Sequence, residues 1–116
     1  MATEAQFVAA LTALCARTYA DYAEGTPARP YVTYQQVGGE AVNFLEGGVG
    51  GRRNARMQVN VWADTRLAAT TLMHSIEDVL KASPFYADAI GARISRADPT
   101  TKLRGAQQDF SFWPTA

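Results

Sequence analysis

Apolar residues in the first part of the chain recur at a helical interval. Phe7, Val8, Leu11, Leu14, Cys15, Thr18, Tyr19 and Tyr22 make one stripe. Thr3 with Gln6 three residues later has the spacing of a capping box. The pattern predicts an amphipathic helix that Gly25, Pro27 and Pro30 stop. The period then falls to two. Residues 31–37 (YVTYQQV) are rich in β-branched and aromatic side chains. Gly38-Gly39 is a turn that accepts positive φ, so a hairpin to residues 40–46 is expected, with Val42 and Phe44 on one face.

A glycine-rich stretch follows at residues 47–51 and runs into Arg52-Arg53. Residues 55–63 alternate: Met57, Val59 and Val61 on one face, Arg56, Gln58, Asn60 and Trp62 on the other. A second helix is expected from Asp64 or Thr65, either of which can cap it. Its stripe reads Leu67, Ala68, Thr71, Leu72, Ile76, Val79 and Leu80, and Pro84 ends it. Residues 91–97 and 105–113 read as two further strands, with Phe110 and Phe112 inward and Asp98-Pro99 at the turn.

The predicted order is αβββαββ. Two amphipathic helices can cover one face of a mostly antiparallel sheet, giving a two-layer α+β sandwich in a single domain, residues 1–116. The other face, with Trp62, glutamines, Asn60 and arginines, is either solvated or used for contacts.

Composition narrows the function more than the fold. A chain of 116 residues buries roughly 65% of its unfolded surface, enough for a core without disulfides or metals. Eleven basic residues balance eleven acidic ones, so no global field draws in nucleic acid or an anionic membrane. One cysteine, Cys15, excludes an internal disulfide and a CxxC site, and points to a reducing compartment. One histidine, His74, excludes a multi-histidine metal site. No apolar run approaches the ~20 residues that span a bilayer. The apolar stretch 7–16 lacks a basic segment before it and meets Arg17 after it, so a cytosolic, non-exported protein is expected.

Catalytic sets are hard to assemble from what remains. Cys15 belongs to a core stripe, so a Cys15–His74 dyad would be shut off from substrate. His74 and Asp78 share a helix face at i, i+4 but make at most half a metal site, and Glu77 and Asp78 point in different directions. The glycine stretch lacks the lysine and the helix of a phosphate loop. No enzymatic activity, cofactor or metal is expected. The interface candidates are Gly47, Gly48, Gly50, Gly51, Arg52, Arg53, Arg56 and Trp62. Long loops in small domains tend to be functional, and arginine and tryptophan are favoured at interfaces. Charge is also uneven. Residues 1–46 hold two arginines against five carboxylates, a net of −3, and residues 47–116 hold nine basic against six acidic residues, a net of +3. Opposite charges in two parts of a chain suit head-to-tail pairing of copies.

Residues 30–39 (PYVTYQQVGG), residues 56–82 (RMQVNVWADTRLAATTLMHSIEDVLKA) and the closing residues 108–113 (QDFSFW) together resemble the phage tail-completion and tail-terminator-like proteins of the DUF3168 class. The resemblance covers roughly residues 3 to 113 and lies in the order and spacing of these segments. It implies a virion protein of a tailed phage or prophage, assembled in the bacterial cytoplasm. It further implies a ring of copies, commonly a hexamer, that caps the tail tube, ends its polymerisation and helps join tail to head. The implied partners are copies of itself, the tail tube protein and a head-completion or neck protein. Neither a membrane nor sequence-specific nucleic acid is among them. The alternative reading is a small α+β regulatory domain that binds a ligand or nucleic acid.

Overall fold

In a computed structural model, residues 3–23, 27–38, 54–82 and 85–113 are described. Helix α1 (Glu4–Leu14) begins at the expected capping box. The Thr3 hydroxyl accepts the Gln6 N–H at 3.2 Å, and the Gln6 side chain accepts the Thr3 N–H at 2.8 Å. The helix ends at Leu14 instead of carrying its stripe on to Tyr22. Cys15 adopts extended backbone, and the Thr18 hydroxyl donates to the Cys15 carbonyl at 2.6 Å. Threonine side chains offer the backbone such an alternative to the helical ladder. Thr18 and Tyr19 also favour strands. Thr18–Ala20 accordingly forms a short strand, β1, parallel to β2 (Tyr31–Gln36). Cys15 itself is buried, with its thiol 3.5 Å from the Pro30 carbonyl.

The remaining elements are β3 (Ala55–Ala63), α2 (Arg66–Lys81), β4 (Asp88–Ala97) and β5 (Arg104–Phe112). The order is the expected αβββαββ, with β1 as the first of its three consecutive strands. The expected strand 40–46, its turn residue Gly39 and residues 47–53 lie outside the described residues. The sheet runs β1-β2-β3-β5-β4 and is antiparallel except for the β1–β2 pair. Just after β2, Gly38 has φ +114°, a conformation that glycine takes without strain, and its carbonyl accepts the Arg56 N–H at 2.9 Å.

Period-two alternation divides the sheet into two faces. Met57, Val59 and Val61 of β3 and Ala106, Phe110 and Phe112 of β5 face inward. Phe7 and Leu11 of α1 and Ala69, Met73, Ile76 and Leu80 of α2 complete the core. The buried stripe of α2 is thus rotated from the expected one, and Leu67 is 77% exposed. The 69/73/76/80 spacing keeps to one helix face, and at about 100° per residue Leu67 falls on the opposite side of the helix, away from the core. Thr65, not Asp64, caps the helix: its hydroxyl accepts the Ala68 N–H at 3.1 Å, while Asp64 pairs with Arg29 at 2.7 Å. Thr65→Ala is expected to cost about 1 kcal/mol in urea unfolding, and Thr65→Ser to restore most of it.

Strand β4 starts three residues before the expected Gly91. Its register to β5 shifts between Ile90 and Ile94, around Gly91 with φ +72°. The buried Gln108 donates its side-chain N–H groups to the Ile90 and Gly91 carbonyls at 3.1 Å each. A buried polar side chain therefore satisfies the backbone groups at the irregularity. All ten residues of β4 are exposed, at the opposite edge of the sheet from β1.

Candidate functional site

The face of the sheet turned away from the helices is polar and ordered in rows. Strand pairing sets Gln35, Gln58 and Asp109 in one row and Thr33, Asn60 and Gln107 in the next. Gln58 accepts from Gln35 at 3.4 Å and from Asn60 at 3.3 Å, and Arg96 donates to Gln107 at 2.9 Å. Arg56 grips a single oxygen of Asp109, with its Nε and one terminal nitrogen each at 2.8 Å. Among the described residues these rows present linked amides and one ion pair, which suits contact with another polar surface.

The row at the end of β3 differs in kind. It aligns Tyr31, Trp62 and Gly105. A side chain at position 105 would meet the Trp62 ring at 2.9 Å and the Val61 carbonyl at 3.0 Å, so the indole packs closely against bare backbone. Gly105→Ala is expected to displace the indole and to cost roughly 1–3 kcal/mol, because backbone on one side and a rigid ring on the other cannot both yield. A shift in the tryptophan emission maximum together with a lower urea midpoint would check it.

Around Trp62 the chain closes a shallow pocket. Tyr31 and Thr33 come from β2, Asp21, Tyr22 and Ala23 from the segment after β1, and Asp98, Thr101 and Leu103 from the β4–β5 turn. The Asp98 carboxylate accepts the N–H groups of Thr100 and Thr101 at 2.9 and 3.3 Å, and these bonds hold its pKa below the ordinary value. Partial burial raises the Tyr31 phenol pKa, and the nearby Asp98 charge raises it further, against a smaller opposing pull from Arg29. Among the described residues no group of three His, Cys, Asp or Glu is placed to hold a metal. His74 and Asp78 are both exposed on α2. Among the described residues no helix is long and apolar enough to cross a membrane.

The family model of tail completion protein gp17 matches residues 5–115. The chain belongs to the tail completion protein family. Membership makes it a structural protein of the phage tail and places it in the virion. Its fold is shared with a chain from the virion of a native gene transfer agent particle. That match has a TM-score of 0.61 at 18% identity and covers 96% of this chain and 90% of the other. No curated protein matches the sequence.

Only two of the interface candidates of this tail completion protein fall within the described residues. Gly47, Gly48, Gly50, Gly51, Arg52 and Arg53 lie outside them. Arg56 and Trp62 both stand on the open face but at opposite ends of β3, about 20 Å apart at strand rise, so they do not form one site. Arg56 is committed to Asp109 within its own chain. Trp62 has instead gathered Asp21, Tyr22, Tyr31 and Asp98, none of which the sequence had marked as candidates. One signal was legible: alternation sets Gly105 on the open face, and a glycine within a strand often marks close approach of another group.

Proposed function

We propose that this tail completion protein assembles with copies of itself into a ring, six in the arrangement the resemblance implies, that caps the tail tube. Its far side then presents a surface to a head-completion or neck protein. The family match over residues 5–115 carries the reading. The unlike edges of the sheet support it: three residues of β1 at one side, ten exposed residues of β4 at the other. An exposed edge strand is a template for pairing with another chain, and a contact between unlike surfaces repeats head to tail until it closes. Termination then needs no chemistry. The ring covers the tube end that would recruit the next tube subunit, and offers no copy of that end on its other side.

Residues 47–56 belong to the same reading, as a contact to the neighbouring copy, the tube or its lumen. The test polymerises the tail tube protein with and without this chain and measures tube lengths by negative-stain imaging. Shorter tubes with a uniform ring at one end are expected. Unchanged lengths and bare ends would overturn the proposal. Replacing Arg52 and Arg53 together by alanine, with Arg56 left in place, tests the segment while keeping the Arg56–Asp109 ion pair.

A further inference from the structure

The pocket around Trp62 has a chemistry that the capping role does not use. Three aromatic side chains, Tyr22, Tyr31 and Trp62, share it with two carboxylates, Asp21 and Asp98. No lysine or arginine lines it among the described residues. The cation that acts on Tyr31, Arg29, is paired with Asp64 at 2.7 Å. Tyr22 is 68% exposed among the described residues, so its ring face is open to a partner. The Asp98 carboxylate is fixed by two backbone N–H groups that both reach one oxygen, Oδ1. The Trp62 ring is fixed by its seat on Gly105. Flat π faces beside carboxylates attract a cation, and a planar guanidinium satisfies both at once, by stacking and by forked hydrogen bonds.

We infer that this pocket receives an arginine side chain from a neighbouring copy of the chain. Charge complementarity names the occupant: nine of the eleven basic residues are arginine, and residues 47–116 carry a net of +3 against −3 before them. The pocket draws Asp21 and Tyr22 from the segment after β1 and its second carboxylate, Asp98, from the turn after β4, so it runs across one end of the sheet. Arg93, paired with Glu77 at 3.4 Å, and Arg96, bonded to Gln107 at 2.9 Å, lie on the exposed β4 edge, where either can exchange an internal partner for a neighbour's carboxylates. A contact in which the β4 edge of one copy meets the pocket end of the next brings arginine to both carboxylates. The inference rests on the self-assembly reading for its partner, while the chemistry of the pocket is testable without it.

The experiment has two arms. In the first, the Trp62 indole N–H resonance is followed by NMR as N-acetyl-arginine amide is added, with N-acetyl-citrulline amide as the neutral match in shape. A saturable shift with the arginine probe and none with citrulline is expected. Asp21→Asn with Asp98→Asn should weaken it by about tenfold per carboxylate removed. Asparagine keeps the acceptor that holds the Asp98 turn and tolerates the φ of +63° at Asp21, so both variants should fold. No shift, or an equal one with citrulline, overturns the inference and leaves the ring reading standing. In the second arm, self-association is measured by analytical ultracentrifugation. The double variant, or excess arginine probe, should shift copies towards monomer. Association that ignores both overturns the neighbouring copy as the donor. A chain that never self-associates, even with the tube protein, overturns the ring reading, and with it the donor.

Discussion

Replacing Phe112 with alanine is expected to lower stability by about 3–5 kcal/mol. Phe112 is 1% exposed and sits where three elements meet. Its ring centroid is 5.0 Å from that of Phe7 on α1 and 6.3 Å from that of Phe85, which follows α2. Phe7 and Phe85 also touch edge to face at 6.3 Å, so the three rings form one cluster. Removing the central ring opens a cavity that two helices and the last strand must collapse into. A domain of this size holds about 5–15 kcal/mol in total, so the variant stands near its unfolding midpoint on mild heating. At roughly 4 °C per kcal/mol the melting temperature should fall by about 12–20 °C. Phe112→Leu keeps most of the volume and should cost about 1.5 kcal/mol or less. Hydrogen exchange adds a second reading. Amides of α1 should lose protection before those of β3, because Phe7, one of the two buried residues of α1, packs in the aromatic cluster. A loss below 1.5 kcal/mol for the alanine variant would show that the cluster is not where α1 is held.

Phe110 and Phe112 were legible in the sequence because alternation places them on the same face, and the structure buries both. The strands beside them followed from the same rule. What the pattern concealed lay where local and tertiary preferences compete. Tyr19 and Tyr22 continue a helical stripe, yet Thr18 and Tyr19 gain more as an edge strand against Val32 and Thr33. Once the chain leaves the helix at Cys15, Tyr22 is carried to the open face of the sheet. Leu67 is the more apolar residue, but Ala69 is buried because the helix is oriented by Met73, Ile76 and Leu80. The pocket was hidden for a further reason. Asp21, Tyr31, Trp62 and Asp98 are far apart in sequence, and only the strand order brings them together. Trp62 was legible as a ring on the face opposite an alternating core, where the structure leaves it half-buried, and its partners were not.

Arg56→Ala is expected to cost about 2–3 kcal/mol, which is large for a residue at the sheet's open face. The reason lies in what it leaves behind. The Asp109 side chain is only 13% exposed, while that of Arg56 is 45% exposed. Both short contacts from Arg56 reach Oδ2, and Oδ1 of Asp109 is buried with no hydrogen-bond partner among the described residues. Without Arg56 the carboxylate stays at the centre of the sheet with its counter-charge gone. Breaking a fully buried pair costs about 3–5 kcal/mol, and the solvent access of Arg56 reduces that figure here. The reverse change should be milder. Asp109→Ala frees a guanidinium that water already reaches, so about 1 kcal/mol is expected. In the double variant the stranded charge is absent, and its stability should lie close to that of Asp109→Ala alone. Urea unfolding of the four proteins in the cycle measures this directly. If Arg56→Ala costs less than 0.5 kcal/mol, Asp109 is solvated by other means and the ion pair does not hold β3 to β5. A large cost also bears on assembly. Loss of ring formation in an Arg56 variant would then report a disturbed sheet, whereas loss in the Arg52 and Arg53 pair would report a contact.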